Sequence, residues 1–216
     1  LRAPEPDLDD VDRLVEMIDA AEKPLLICGG GVVRSRAHVE FEEFANRIDA
    51  PVAITVMGGG GFRGRNPLTT GMIGMHGSQA SNMAVDNCDL LIAFGCRFSD
   101  RVALNPATFA AQAKIVHIDI DRSEINKNVQ TDHHIIGDAK HVLELLNERV
   151  SQKHHDAWKE FVFSFPTETE YSSAGDALTP KQISDVVARV CPQDTIVSTD
   201  VGQHQMWAIQ HFHYDY

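Results

Sequence analysis

Residues 24–31 read PLLICGGG. A short uncharged run of Leu, Ile and Cys, opened by Pro24, passes straight into three glycines. It is too short for a helix, and it reads as a strand buried on both faces that ends in a tight turn. The same pattern recurs along the chain. PVAITVM (51–57) runs into Gly58 to Gly61, and DLLIAFG (89–95), KIVHIDID (114–121) and HHIIGD (133–138) follow. Helical spacing fills the gaps. Val11, Leu14, Val15 and Ile18 share a face over 9–21, where Asp9 and Asp10 can cap. Ala37, Phe41, Phe44, Ala45 and Ile48 share one over 36–49. A short helix is predicted at 78–87, and another at 139–150 with Val142, Leu143, Leu145 and Leu146. Apolar strands alternating with helices require a parallel sheet covered on both sides. Right-handed crossovers then make the fold class α/β, a doubly wound Rossmann-like sheet.

This domain is predicted over residues 1–150, with regular structure from about residue 9. Residues 151–177 change character, and read as a linker that opens with a short helix near 154–163. Residues 178–216 restart regular structure. Thr179 is suited to an N-cap and Pro180 to a first helical turn. Ile183, Val186, Val187 and Val190 are predicted to form a buried stripe. DTIVSTD (194–200) reads as a strand and VGQHQMWAIQ (201–210) as a loop entering a helix. One such βα element cannot bury a core by itself, so it must pack on something else or stay disordered.

Hydrophobic residues make up 43% of the chain and charged residues 23%, the balance of a soluble globular protein. The formal net charge of −12 repels nucleic acid and anionic lipid, so neither is an expected partner. No run has the length of a membrane span, and the acidic, Pro-rich start LRAPEPDLDD is unlike a signal peptide. The start without methionine and the ending HFHYDY suggest a piece of a longer protein. Cys28, Cys88, Cys96 and Cys191 form no C-x-x-C pair, and read as reduced, mostly buried thiols. His133-His134, His154-His155 and His211/His213 lack metal-ligand spacing, and are expected at the surface or in the linker.

In an open parallel sheet, ligands bind beyond the carboxyl ends of the strands. Five clusters fall there: Gly29-Gly30-Gly31, Thr55-Val56-Met57, Gly95-Cys96-Arg97, Asp119-Ile120-Asp121 and Gly137-Asp138. Glycine lets a ligand approach the main chain, arginine pairs with phosphate, and a strand-end carboxylate accepts from ribose hydroxyls. Together they suggest an extended nucleotide-like ligand. Each also has a plainer reading: glycines that only turn the chain, Asp138 as a helix cap, and Arg97 and Arg101 in surface ion pairs. GGGVVR departs from G-x-G-x-x-G, so the usual NAD fingerprint is not met. The loop GMIGMHG (71–77) can wrap a planar ring or serve as a buried connector.

The stretches MGGGGFRGRNPLTTGMIGMHGSQASNMAVDNCDLLIAFGCRFSDRV, NPATFA, AKIVHIDIDRSEINKN and GDAKHVL resemble, in order, the central domain of the acetohydroxyacid (acetolactate) synthase large subunit. STDVGQHQMWAIQ resembles the start of that family's diphosphate-binding domain. The likeness covers essentially the whole chain. It implies a thiamine-diphosphate enzyme that condenses two pyruvates, or pyruvate with 2-ketobutyrate, releasing CO2 in branched-chain amino-acid synthesis. It implies FAD in the central domain, with thiamine diphosphate and Mg2+ in the full-length parent. Carried over by position, Gly29, Gly30 and Gly31 would face the phosphate and ribose portion of FAD. Thr55, Val56, Met57, Gly74, Met75 and His76 would lie along the flavin. Gly95, Cys96, Arg97, Arg101 and Val102 match the family's G-A-R-F-D-D-R-V stretch. Asp119, Ile120, Asp138 and Ala139 would hold the adenosine end, and Val201, Gly202, Gln203 and His204 the thiamine diphosphate phosphates.

The chain departs from the family at Cys96, where alanine is usual, and at Ser99, where aspartate is usual. It departs again at Gly59, which replaces a larger apolar residue, and at Arg63, which replaces proline. The family's catalytic glutamate and its G-D-G…Asn magnesium motif are not in this sequence. No catalytic or metal-binding residue is therefore expected here, and the fragment alone is expected to be inactive. The resemblance further implies a cytoplasmic homo-oligomer acting on 2-ketoacids, with a regulatory small subunit as a further partner. The alternatives are another flavin-containing thiamine enzyme, of the glyoxylate carboligase or pyruvate oxidase type, a non-catalytic nucleotide-binding domain, or a purely structural domain.

Overall fold

The computed structural model describes residues 3–169, 172, 175, 177–192, 195–212 and 214; His213 lies outside them. Six strands form one all-parallel sheet: β1 Pro24–Cys28, β2 Val52–Ile54, β3 Thr69–Met72, β4 Leu90–Phe94, β5 Lys114–Asp119 and β6 His133–Ile136. Their order in space is β3-β2-β1-β4-β5-β6. The chain starts in the middle, winds to one edge, then returns and winds to the other. That is the doubly wound order, with its reversal point between β1 and β4.

The helices are α1 Leu8–Ala20, α2 Gly30–Arg34, α3 His38–Ile48, α4 Gln79–Asn87, α5 Ala139–Arg149, α6 Asp156–Phe163, α7 Pro180–Val190 and α8 Gln203–His211. Side chains alternate across each strand and feed two cores. Leu26, Ile92, Phe94, Val116 and Ile118 face α1, α3 and α5, where Phe41 meets the rings of Phe62 and Phe94 edge-on. Leu25, Ile27, Leu91, Ala93 and Ile115 face α4, α6 and the 96–113 connection. Every residue of β1 and β4 is buried, which is why their sequences carry no polar alternation.

Helix α6 belongs to this core. Trp158 is buried and donates its indole N–H to the Pro24 carbonyl at 2.9 Å, and Val162 packs beside it. The amide of His155 reaches the Asp49 carboxylate at 2.9 Å, and Lys159 pairs with that same carboxylate. Trp158→Ala should therefore destabilise the sheet domain itself, by about 3–5 kcal/mol. Chemical denaturation checks this; a midpoint within error of wild type would mean that α6 is an appendage.

The structure corrects several expectations. His133 is buried rather than at the surface, because its Nε2 lies 2.8 Å from the Asp10 carbonyl; His211 is buried as well. Described residues 195–200 form no strand, and Ile196 is exposed. No sheet hydrogen bonds are offered to it among the described residues. The stripe of α7 is not buried: Ile183, Val186, Val187 and Val190 are all exposed, since no described element covers them. The capping box on that helix is present as expected, with Thr179 accepting from the Gln182 amide and Gln182 reaching back. Helix α8 packs beside α7 and next to β3. Gln210 donates to the His76 carbonyl at 2.6 Å, and the Gly64 amide to the Tyr214 carbonyl at 3.0 Å. At Gly59, an added Cβ would fall 2.6 Å from Ile209 of α8, so the glycine makes room for that helix.

Candidate functional site

The site grows from the reversal point of the sheet. Beyond β1 and β4 the two chain segments touch through glycine. A Cβ on Gly29 would lie 2.3 Å from the Gly95 carbonyl oxygen, and one on Gly31 would lie 2.6 Å from Gly95 Cα. Gly95 itself has φ +57°, a left-handed conformation. Gly29 and Gly31 also give their amides to the carbonyls of Phe94 and Gly95, at 3.0 and 3.1 Å. They thus close the fold beneath the site, while Gly30 faces the opening.

Above them lies a cleft of about 490 Å³. Its floor is Gly30, Gly95, Cys96 and Phe98. One wall is Thr55, Val56 and Met57; the other is Met72, Ile73, Met75 and His76, with Arg101 and Val102. The second wall is stapled at its base. The Met75 amide donates to the Arg101 carbonyl, and Gly74 exchanges two hydrogen bonds with the Asn82 amide group. Gly74 has φ +102°, and an added Cβ would collide with the Arg101 carbonyl oxygen. Gly74 is therefore the hinge that presses the Met75-His76 edge onto the 101–102 segment. Val201, Gly202, Gln205 and Met206 complete the mouth.

The chemistry of the lining is one-sided. Arg34, Arg97 and Arg101 line the cleft and, among the described residues, no carboxylate does, in a chain of net charge −12. Arg97 is 3.9 Å from Glu124 and Arg101 is 3.8 Å from Asp100, and both side chains are about 70% exposed. Such pairs hold an arginine weakly, leaving both guanidinium groups able to turn to an anion. Four of the six methionines, Met57, Met72, Met75 and Met206, line the same cleft, and thioethers suit the face and edge of a planar ring. Burial pushes the Cys96 thiol up to about 12, and the nearby Asp119 charge adds to this, so it stays protonated at neutral pH.

Asp119 continues the rim one strand further on. The Gly95 amide donates to the Ile118 carbonyl at 2.8 Å, which joins the two strand ends. The Asp119 carboxylate accepts from the Asp121 amide at 2.9 Å and lies 3.6 Å from His117 Nε2. Burial opposes its charge, but the His117 ring and that amide outweigh it and hold the carboxyl below the usual range. Ile120 is exposed beside it.

Of the residues singled out from sequence, the cleft gathers Gly30, Thr55, Val56, Met57, Met75, His76, Gly95, Cys96, Arg97, Arg101, Val102, Val201 and Gly202. Gly29, Gly31 and Gly74 lie directly behind its walls, and Asp119 and Ile120 extend its rim. Asp138 and Ala139 stand apart, beyond the edge strand β6, where Asp138 caps α5 by accepting from the Lys140 and His141 amides. Gln203 and His204 begin α8 and are exposed outside the lining. Ser99, noted from sequence as a departure from the family, also lines the cleft, and Arg34, Phe98, Gln205 and Met206 were not anticipated. Arg34 follows Gly30 by one helical turn, and Phe98 and Ser99 sit inside the R-F-S-D-R stretch, so proximity to the flagged residues was the available signal.

Residues 11–146 match the family described as "Thiamine pyrophosphate enzyme, central domain". The chain belongs to the thiamine pyrophosphate enzymes, through their central domain. It is also 40% identical over 215 residues to the acetolactate synthase large subunit of Parasynechococcus marenigrum (strain WH8102), covering 96% of this chain and 35% of that protein. Identity is again 40% over 213 residues with the probable acetolactate synthase large subunit of Methanocaldococcus jannaschii, covering 94% of this chain and 36% of that protein. It is 40% over 208 residues with the acetolactate synthase isozyme 2 large subunit of Escherichia coli (strain K12), covering 94% of this chain and 37% of that protein. The chain thus spans about a third of the length of the curated relatives it matches. The central-domain match ends before α6, although Trp158 is built into the same core. Among the described residues, no helix is long and apolar enough to cross a membrane, and no three His, Cys, Asp or Glu side chains are grouped to hold a metal ion.

Proposed function

We propose that this chain is the central portion of an acetolactate synthase large subunit, and that its cleft holds FAD. The observation that carries the reading is the lining. Three arginines without a carboxylate offer a seat for a diphosphate, and the methionine-rich walls suit a planar ring. Asp119 supplies an acceptor for ribose hydroxyls on the same rim. Arg34, Arg97 and Arg101 would take the diphosphate above Gly30. Thr55, Val56, Met57, Met75 and His76 would border the flavin, and Asp119 and Ile120 the ribose. Asp138 and Ala139 would mark the far adenosine end. In the parent reaction, one molecule of pyruvate condenses with a second 2-ketoacid and CO2 leaves. That chemistry involves no net redox change, so the flavin's part is structural.

The reading places thiamine diphosphate on the parent protein, with Val201 to His204 near its phosphates. The family's G-D-G…Asn magnesium motif is not in this sequence, so the reading assigns that ion to the rest of the parent. We place the end of the central domain near residue 165, after α6, and the start of the next unit at α7. The names of the relatives favour a synthase over a glyoxylate carboligase or pyruvate oxidase, and "large subunit" suggests an oligomer with a smaller regulatory partner. A cytoplasmic setting belongs to the same reading.

Titration of the purified chain with FAD, followed by flavin fluorescence, tests this. Saturable quenching at one FAD per chain is expected, without acetolactate formation from pyruvate by the chain alone. Absence of FAD binding would overturn the cofactor assignment, and turnover by this chain would overturn the assignment of catalysis to the rest of the parent.

A further inference from the structure

His117 is wholly buried in the middle of β5, and neither of its ring nitrogens has a hydrogen-bond partner among the described residues. Burying an imidazole unsatisfied is unfavourable, and a leucine or valine at this position would avoid that cost. Two of its neighbours belong to the site, Asp119 on the rim and Phe98 in the floor. Nε2 points to the Asp119 carboxylate at 3.6 Å, just beyond hydrogen-bond length, on the same face of the strand. The ring stands edge-on to Phe98, with centroids 5.0 Å apart and planes at 73°. Phe98 lines the cleft floor and has φ +46°, which is rare for a bulky residue and marks backbone strain. A polar ring thus lies under a rim carboxylate and behind one floor residue, with its donor capacity unused.

We propose that His117 is the positioning residue of this cleft: it donates from Nε2 to Asp119 and aims that carboxylate at the ribose diol of a bound adenine nucleotide. The inference rests on the dinucleotide reading above and extends it to a residue that never touches the ligand. The 3.6 Å gap closes to a hydrogen bond when the carboxylate turns to a ribose. Asp119 then has two fixed donors, His117 and the Asp121 amide, and its remaining lone pairs face outward.

The test uses the whole chain, with FAD, ADP and 2′,3′-dideoxyadenosine 5′-diphosphate as probes. Wild type should bind ADP more tightly than the dideoxy analogue. His117→Phe fills the same space without a donor, and should remove most of that preference, weakening ADP by about tenfold while barely changing the analogue. His117→Gln keeps an N–H donor and should restore part of the preference. Asp119→Asn combined with His117→Phe should lose no more than Asp119→Asn alone, because both changes act on one contact. Thermal melting confirms folding, and His117→Leu, which also lacks a donor, carries the comparison if the phenylalanine variant does not fold. Unchanged diol preference in a folded variant lacking the donor, or additive losses in the double variant, would overturn the proposal. Wild type binding ADP but not FAD would sink the FAD reading and leave this one standing. FAD binding with an unaltered His117→Phe would sink this one alone, and binding of neither nucleotide would sink both.

Discussion

Gly95→Ala is expected to lower stability by about 3 kcal/mol or more, from a left-handed backbone forced on alanine plus an overpacked contact. The added carbon would lie 2.3 Å from Gly31 Cα, which is main chain and cannot swing aside. The β1 and β4 segments would have to part at the reversal point of the sheet, under the cleft floor. Gly60→Ala is the control. Gly60 also has positive φ, at +83°, but an added Cβ there meets nothing within 4 Å. That substitution should lose only about 1–2 kcal/mol, the conformational share alone. Guanidinium denaturation of the two variants separates the effects. Equal losses would mean that the β1–β4 glycine contact is not what closes the fold.

The second large effect concerns charge. Arg97→Glu combined with Arg101→Glu should weaken FAD by about a hundredfold or more, since charge-assisted hydrogen bonds to phosphate contribute roughly 1.5–3 kcal/mol each. The fold should be untouched, because both side chains are about 70% exposed and only loosely paired. Arg13→Glu with Lys114→Glu changes the net charge equally at the opposite, amino end of β5, and should cost little affinity. Wild-type affinity should also fall as salt is raised. If both double variants lost affinity equally, overall charge rather than the cleft would be responsible.

Much of this architecture was readable from periodicity. Four strands, β1, β2, β4 and β5, are buried on both faces or nearly so and announce themselves as apolar runs; β6 alternates in burial but runs into a glycine as β1 and β4 do, and the strand ends then fall on one edge by topology alone. Strand β3 escaped because TTGM alternates in exposure, carries Gly71 at φ +97° and joins β2 through an irregular register. Its sequence looks like a loop and becomes a strand only beside Val52. Helix α2 escaped because it is a single turn and opens with two glycines. The converse error arose at the described residues 195–200 and on α7. There the local pattern is strand-like and amphipathic, but local pattern supplies no partner, and Ile196 and Val190 stay exposed.

The site was legible as a rim and not as a cleft. Strand-end rules located Gly30, Thr55, Gly95, Arg97 and Asp119. Only the fold could show that Gly29 and Gly31 pack against Gly95 and that Arg34 reaches the opening; for Asp138 it selects the helix-cap reading that the sequence had also offered. His117 was hidden for a further reason. In the run KIVHIDID it reads as one polar residue in a strand, and its position beneath Asp119 and behind Phe98 depends on tertiary placement.

The most direct measurement is a crystal structure of this chain grown with FAD. The account predicts continuous ligand density along one rim, with the diphosphate beside Arg97 and Arg101 over Gly30, the flavin against Met57 and Met75, and a ribose at Asp119. Well-ordered FAD bound anywhere else on the molecule, with that rim empty, would contradict it.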